Sequence, residues 1–282
     1  MILISLFILC GCTNVNKSSS LDVSSTGTTA YTYKVEELYA QRGKNQIYGK
    51  IYIPQNAEEK MPTIIFSHGF GGNYQVGIPY AEQLAENGYV VYCFDFCGGS
   101  TDSQSDGSTL EMSLFTEKAD LEAVIERLKE LDYVDSRNIF LIGTSQGGAV
   151  SAITGADHLN EIKGMILLYP AFILSKRANE LFQDMEEIPE TYYFMWTEVG
   201  KAYFEPLIGY DIYKGITPYN KDVLIIHGDQ DEIVPLSYSE RAIQVYLNAE
   251  LKVINGAGHG FYGEDFQKAM SYILEFLTAY QT

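Results

Sequence analysis

Short runs of consecutive apolar residues recur between residues 63 and 254, with polar and glycine-rich stretches between them. Runs of this length predict β-strands buried on both faces, because no position in them needs contact with water. The predicted strands are residues 63–66, 89–96, 139–142, 165–169, 223–226 and 251–254.

Apolar residues at helical spacing fill the intervals between the predicted strands. The spacing is clearest in two sets: Leu121, Val124, Ile125, Leu128 and Leu131, and Phe266, Met270, Ile273, Leu274 and Leu277. Strands that alternate with amphipathic helices predict an α/β protein with a mostly parallel central sheet and helices on both faces.

Before residue 63 the apolar residues alternate with polar ones instead. The alternating positions are Tyr31, Tyr33, Val35, Ile47, Ile51 and Ile53. This period predicts an antiparallel hairpin that turns at residues 42–45 and has one face in water.

One long interval, residues 171–219, has no strong strand pattern and is dense in aromatic side chains. An insertion of this length inside a compact domain is usually functional rather than a plain connection. Its mixture of acidic and aromatic residues predicts helices that form a lid over a site. A packed helical subdomain without substrate contact is the alternative.

The N-terminal residues 1–9 are almost entirely apolar, too few to span a bilayer and about right for a signal segment. They run into Leu9-Cys10-Gly11-Cys12, which resembles the lipobox of bacterial lipoproteins and implies a lipid on Cys12. We therefore expect a protein anchored in the bacterial cell envelope through this lipid, facing outside the cytoplasm. No Lys or Arg precedes the apolar run, so a loosely docked apolar tail is the alternative. In that case we expect the protein to be cytoplasmic. The predicted division is a signal segment at 1–11, a Ser/Thr-rich tether at 12–30 and the folded domain at 31–282.

The formal net charge of −18 indicates a surface that repels phosphate backbones, so we expect no nucleic-acid partner. Two of the four cysteines, Cys93 and Cys97, lie in the predicted domain in an extended stretch that separates their Cα atoms by about 13 Å. That separation is far beyond the limit of about 7 Å for a disulfide. Both are predicted to be free thiols, and no metal or organic cofactor is expected.

A possible nucleophile follows the predicted strand at 139–142. The sequence Gly143-Thr144-Ser145-Gln146-Gly147 is a G-x-S-x-G pattern, and small, helix-compatible residues come after it. A strand, a sharp turn and a helix in this order form a nucleophile elbow, which exposes the serine hydroxyl above a helix N-terminus with unpaired N–H groups. An ordinary turn serine is the alternative, so partners for Ser145 must be found.

A serine hydroxyl needs a base to take its proton, and a carboxylate must orient that base. His259 lies among glycines after the last predicted strand and is the best candidate for the base. For the acid, Asp229, Asp231 and Glu232 compete after the strand at 223–226. Asp231 is preferred because Asp229 is more typical of a residue that shapes the turn. The order Ser145, Asp231, His259 is that of α/β-hydrolases.

The remaining histidines have structural interpretations. His68 and His227 lie at strand ends, where each is expected to hydrogen-bond a loop. His158 lies at a polar helix end and is expected at the surface.

Five short motifs carry a family resemblance: His68-Gly69-Phe70-Gly71-Gly72, Asp95-Phe96-x-Gly98, Gly143-x-Ser145-Gln146-Gly147-Gly148, His227-Gly228-x-x-Asp231 and Gly256-Ala257-x-His259-x-Phe261. From about Tyr31 to the C-terminus the chain resembles the small cinnamoyl (feruloyl) esterases of gut bacteria. The resemblance implies an α/β-hydrolase fold and a serine carboxylesterase whose oxyanion hole is formed by the N–H groups of Phe70 and Gln146. It also implies a lid that holds an aromatic acyl group. Trp196 is the candidate for the lid wall, with a core position as the alternative.

The function predicted from the sequence is hydrolysis of small-molecule carboxylic esters through an acyl-enzyme on Ser145, with aromatic or short acyl groups. A serine peptidase or general acyl hydrolase of the same fold is the first alternative. A binding lipoprotein that keeps the fold without catalysis is the second, and a buried Ser145 with no cavity under the lid would favour it. The oligomeric state is not predicted.

Overall fold

The structure is a computed structural model that describes residues 30–55 and 59–280. The strands are β1 (Tyr33–Arg42), β2 (Asn45–Pro54), β3 (Met61–Ser67), β4 (Val90–Phe94), β5 (Val134–Thr144), β6 (Ile162–Leu168), β7 (Thr191–Phe194), β8 (Thr197–Gly200), β9 (Asp222–Gly228) and β10 (Asn248–Ile254). The helices are α1 (Ile78–Glu86), α2 (Leu114–Lys129), α3 (Gln146–Asp157), α4 (Leu174–Leu181), α5 (Lys201–Phe204), α6 (Ile212–Ile216), α7 (Ser237–Val245) and α8 (Gly263–Thr278), with short 3-10 turns at Tyr74–Gly77, Met185–Glu187 and Glu205–Leu207.

The predicted signal segment at 1–11, the lipidation site Cys12 and the tether up to residue 29 lie outside the described residues and stay predictions. No helix in the described part of the chain is long and apolar enough to cross a membrane.

Eight strands form one sheet in the order β1-β2-β4-β3-β5-β6-β9-β10. The pairs β1–β2 and β2–β4 are antiparallel, and every other neighbouring pair of this sheet is parallel. The mostly parallel sheet predicted from the apolar runs is therefore present. Its parallel strands all end at one edge, where ligands bind in open α/β sheets.

Successive residues of each central strand belong to two separate hydrophobic cores. In β5, Leu141 faces the core that contains α2 and α3, whereas Phe140 and Ile142 face the core that contains α1 and α8. Burying such side chains stabilises the fold by about 1.5–3 kcal/mol each. Both faces of the strand are apolar because both are covered by helices.

The hairpin β1–β2 is present, but its two strands differ in burial. β1 is the sheet edge and is mostly exposed, whereas β2 pairs with β4 on its other side and is mostly buried. The expectation of one solvent-exposed face was therefore wrong, because residues 34–37 of β1 are exposed on both faces and residues 51–54 of β2 are buried on both.

The predicted strand at 89–96 is longer than β4, which ends at Phe94. The carboxylate of Asp95 accepts the backbone N–H groups of Tyr74 and Gln104, both at 2.7 Å. These bonds hold two loops together and direct the chain out of the sheet.

The insertion at 171–219 contains a two-stranded antiparallel hairpin, β7–β8, in addition to helices. The expectation of helices alone was wrong there. Tyr192 and Phe194 are half-buried against the aromatic rings of Phe182 and Phe204, whereas Thr191 and Tyr193 are exposed. That alternation is typical of a strand, but it spans too few residues to be distinguished from an irregular aromatic segment.

Candidate active site

Ser145 occupies a sharp turn between β5 and α3. Its backbone has φ 50° and ψ −117°, a region that non-glycine residues rarely adopt. The surroundings fix this conformation, because Ser145 N–H donates to Leu168 O at 2.9 Å and Ser145 O accepts from Ala171 N–H at 2.9 Å. The turn is the predicted elbow.

Gly143 and Gly147 are required on either side of Ser145 by close backbone approaches. A Cβ on Gly143 would lie 2.3 Å from Gly147 O, and a Cβ on Gly147 would lie 2.3 Å from the carbonyl oxygens of Ser67 and His68. A side chain on Gly143 would push α3 away from β5, and one on Gly147 would push α3 away from the end of β3, so either would displace the serine.

The ring of His259 lies between Ser145 and Asp231. Its Nε2 is 2.9 Å from Ser145 Oγ, and its Nδ1 is 2.7 Å from Asp231 Oδ2. Since an ionised carboxylate only accepts hydrogen bonds, the ring nitrogen that faces Asp231 carries the proton. Nε2 of the neutral ring can then accept the serine proton, as general-base activation requires.

Asp231 is held by hydrogen bonds on both oxygens. Oδ1 accepts the N–H groups of Ile233 and Val234 at 2.9 and 2.8 Å, and Oδ2 also lies 3.2 Å from His227 Nε2. Burial alone would raise the pKa of Asp231, but the hydrogen bonds from His227, His259 and Val234 outweigh it and hold the pKa well below its usual range. Asp231 is therefore ionised throughout the neutral range.

The two competing acids lie elsewhere. Asp229 accepts the N–H of Gly256 at 2.6 Å and is exposed, so it joins the loops after β9 and β10. Glu232 is exposed at the wall of the cavity beside Ser145. The structure brings Asp231, and neither of these, to the ring of His259.

Phe70 and Gln146, the residues expected to form the oxyanion hole, both line the cavity next to Ser145. Gln146 is the first residue of α3, where backbone N–H groups have no partner within the helix. Within residues 30–55 and 59–280, no protein acceptor takes the N–H of either residue. Two unpaired donors therefore lie beside the serine.

His68 and His227 support the loops around the site. His68 is fully buried, its Nε2 accepts Phe96 N–H at 3.1 Å and its Nδ1 donates to Gly69 O at 2.8 Å. Burial lowers the pKa of His68 to about 4, so it stays neutral and holds the loop that carries Phe70. His227 is also fully buried and accepts from Ser239 Oγ at 2.7 Å.

His158 is half-buried rather than at the open surface, and it does not line the cavity. Burial alone would lower the pKa of His158, but hydrogen bonds to Glu161 and Glu122 raise it above its usual value. His158 therefore ties α3 to α2 through Glu122.

The cavity beside Ser145 has a volume of about 370 Å³. The insertion supplies much of its apolar wall: Ala171, Ile173, Leu174, Phe194, Met195 and Trp196. Trp196 is 52% exposed, so it belongs to the cavity wall and not to the core. A serine at an open, apolar cavity can receive a substrate.

Tyr169, directly after β6, is a site residue that the sequence analysis did not identify. It has φ 39°, and its ring packs edge-on against His259 with the ring centroids 4.8 Å apart. The contact limits rotation of the imidazole ring. No periodic signal marks Tyr169, because it continues the apolar run of the strand.

Glu117 in α2 is a second missed residue. It is 1% exposed, and its Oε2 accepts Gln146 Nε2 at 2.8 Å. A sequence signal was present: Glu117 falls on the same helix face as Leu114 and Leu121, where an apolar residue is expected. Burial raises the pKa of Glu117 to about 8, from an ordinary value of 4.5.

We predict that Glu117 makes stability depend on pH. Between about pH 4.5 and 8 the folded state keeps a proton that the unfolded state releases, so stability falls as pH rises through this window. Glu117→Gln removes this pH dependence. The Tm of the variant minus that of the wild type should therefore increase from pH 5 to pH 8, by several degrees at pH 8. The control is Glu126→Gln on the exposed face of α2. Equal Tm offsets at all pH values for Glu117→Gln would contradict the prediction.

The described residues contain no group of three or more His, Cys, Asp or Glu side chains that could hold a metal ion. Cys93 and Cys97 are free and buried, and burial raises the pKa of the Cys97 thiol to about 12. Neither thiol lines the cavity.

Comparison with known proteins places this geometry in context. A family model described as serine aminopeptidase, S33 matches residues 58–201, just over half of the chain. The uncharacterized protein YfhR of Escherichia coli O157:H7 is 26% identical over 194 residues, which cover 67% of this chain and 61% of YfhR. The chain therefore spans less than two thirds of that relative.

Two further similarities concern proteins with stated activities or ligands. Monoacylglycerol lipase ABHD6 of Homo sapiens is 20% identical over 264 residues, covering 77% of this chain and 76% of the lipase. A solved structure of ferulic acid bound to Est1E from Butyrivibrio proteoclasticus is 29% identical and has a TM-score of 0.78. That similarity covers 86% of this chain and 98% of the Est1E chain.

Proposed function

Because the chain belongs to the serine aminopeptidase S33 family of hydrolases and has the α/β-hydrolase fold, we propose that it is a serine carboxylic ester hydrolase. One observation carries the proposal. The hydroxyl of Ser145, in a strained elbow at an open cavity, is 2.9 Å from a histidine whose other nitrogen is 2.7 Å from a buried carboxylate.

In the proposed reaction, Ser145 Oγ attacks the ester carbonyl while His259 Nε2 takes its proton. Asp231 stabilises the imidazolium that forms. The N–H groups of Phe70 and Gln146 stabilise the oxyanion, and each donor is worth about 3–4 kcal/mol. His259 then gives the proton to the leaving alcohol, and water hydrolyses the acyl-enzyme by the same steps.

We propose aromatic acyl groups of the cinnamoyl or feruloyl type as the preferred substrates. The cavity of about 370 Å³ falls within the usual range for small-molecule sites. Phe194 and Trp196 in its wall suit a planar ring, since aromatic pairs gain about 0.5–1.5 kcal/mol beyond burial. The presence of ferulic acid in the Est1E structure supports the same class.

The test compares kcat/KM on methyl ferulate and p-nitrophenyl butyrate for the wild type and Trp196→Ala. We expect the wild type to prefer methyl ferulate and the variant to lose about tenfold on it, because about 1.4 kcal/mol of ring contact disappears. On the butyrate the variant should change less than threefold. Tyr193→Ala is the matched control, because Tyr193 lies on the same hairpin, is 69% exposed and does not line the cavity.

If the wild type prefers the butyrate and Trp196→Ala does not change this preference, the protein is still a serine esterase, but the proposed preference for aromatic acyl groups is wrong. The family's description favours an aminopeptidase as second candidate, and Glu232 is the one acidic residue among the described residues that line the cavity. Hydrolysis of an aminoacyl p-nitroanilide, with neither ester turned over, would favour that activity.

A further inference from the structure

Tyr203 in the insertion contacts both residues of the proposed oxyanion hole. It belongs to α5 and is 1% exposed. Its hydroxyl donates to Gln146 Oε1 at 2.7 Å, and its ring packs edge-on against Phe70 with the centroids 5.5 Å apart. A buried tyrosine hydroxyl needs a hydrogen-bond partner, and Gln146 provides it.

The side chain of Gln146 is fixed from two sides. Its Oε1 accepts from Tyr203, and its Nε2 donates to Glu117 Oε2 at 2.8 Å. These two bonds hold the amide between the insertion and α2. Burial, with a smaller contribution from Glu117, raises the pKa of Tyr203 well above its usual value, so the hydroxyl remains a donor at all working pH values.

Among the described residues, the aromatic rings that contact Phe70 all belong to the insertion. They are the rings of Tyr203, Phe194 and Trp196, at centroid distances of 5.5, 5.6 and 5.7 Å. The neighbouring Gly71 has φ +68°, and a Cβ there would lie 2.4 Å from Trp196 Nε1. The loop of Phe70 and the hairpin tip are therefore in direct contact.

We propose that Tyr203 is a positioning residue that holds Phe70 and Gln146 together, so that the insertion completes the oxyanion hole as well as the acyl pocket. The inference rests on the proposed function. Oxyanion donors act only when they lie about 2.7–3.1 Å from the developing charge, and a displacement of about 1 Å can cost a factor of 100 in rate. Tyr203 acts through Phe70 and Gln146, because its hydroxyl already donates to Gln146 Oε1.

The test is Tyr203→Phe, which keeps the ring and removes the bond to Gln146. We expect kcat to fall about 10–100-fold on both methyl ferulate and p-nitrophenyl butyrate, with KM changed less than threefold. Affinity for a boronic acid, which forms a tetrahedral adduct with the serine, should fall by a similar factor. A role in substrate binding would instead raise KM and would affect the two esters unequally.

Two further variants keep the test decisive. Tyr192→Phe makes the same chemical change in the same aromatic cluster, where no hydroxyl bond to Phe70 or Gln146 exists, and should leave kcat unchanged. Gln146→Met keeps the backbone N–H but removes the acceptor. It also removes the bond from Nε2 to Glu117, so its loss should be at least that of Tyr203→Phe. The double variant should lose little more than Gln146→Met alone, because the bond from Tyr203 is already absent there.

An unchanged kcat for a folded Tyr203→Phe, in an enzyme that hydrolyses both esters, would overturn the role of Tyr203 and leave the proposed function standing. Fully additive losses in the double variant would overturn it too. A wild type that hydrolyses no ester would overturn the proposed function and this inference together.

Discussion

Ser145→Ala is expected to lower kcat on methyl ferulate by about 10⁶-fold, because it removes the nucleophile from a triad whose members act as a unit. The oxyanion donors and the cavity remain, so a residual rate of about 10³-fold over the uncatalysed reaction should persist. The Tm should change little, since alanine and serine share the same backbone strain at φ 50°. The measurement is kcat by the release of ferulate.

Ser151→Ala is the matched control for this variant. Ser151 lies in α3 six positions further on, is fully buried and does not line the cavity, and its hydroxyl has no hydrogen-bond partner among the described residues. Its activity should stay within twofold of the wild type. Ester hydrolysis that survives in Ser145→Ala would place the nucleophile elsewhere.

The second large effect is expected for Asp231→Asn, with a loss in kcat of about 10⁴-fold. The amide oxygen can still accept the N–H groups of Ile233 and Val234, so the loop keeps its shape. The amide nitrogen then faces His259 Nδ1 and donates to it. The proton of the imidazole moves to Nε2, which can no longer accept from Ser145.

Asp229→Asn provides the control, because Asp229 is a nearby carboxylate that accepts the N–H of Gly256 rather than a bond from His259. Its kcat should remain within a few-fold of the wild type. The assignment of the acid would be wrong if Asp229→Asn lost the activity and Asp231→Asn kept it. Both variants should be compared on the same two esters.

The sheet could be predicted from the sequence because its signal is local. A strand such as β5, buried between two cores, must be apolar at every position, and that run is visible without any knowledge of its neighbours. The motifs at the ends of β5, β9 and β10 could be placed together for a related reason. Parallel strands end at one edge, so Ser145, Asp231 and His259 meet there although far apart in sequence.

The features that could not be predicted depend on contacts between distant segments. The Tyr203–Gln146 bond spans 57 residues and the Gln146–Glu117 bond 29, and no periodic pattern encodes either pairing. The strand character of β7–β8 was hidden because each strand has only four residues, too few for an alternating pattern to be recognised. Glu117 was the exception, since a carboxylate on an apolar helix face indicates a buried partner.

Mass spectrometry of the protein, quenched in acid during turnover of p-nitrophenyl butyrate, shows whether an acyl-enzyme forms on Ser145. We expect a burst of p-nitrophenol close to the enzyme concentration and one butyryl group on the peptide that contains Ser145. Ser145→Ala should show neither. An acyl group on another residue, or hydrolysis that persists in Ser145→Ala, would rule out the acyl-enzyme on Ser145.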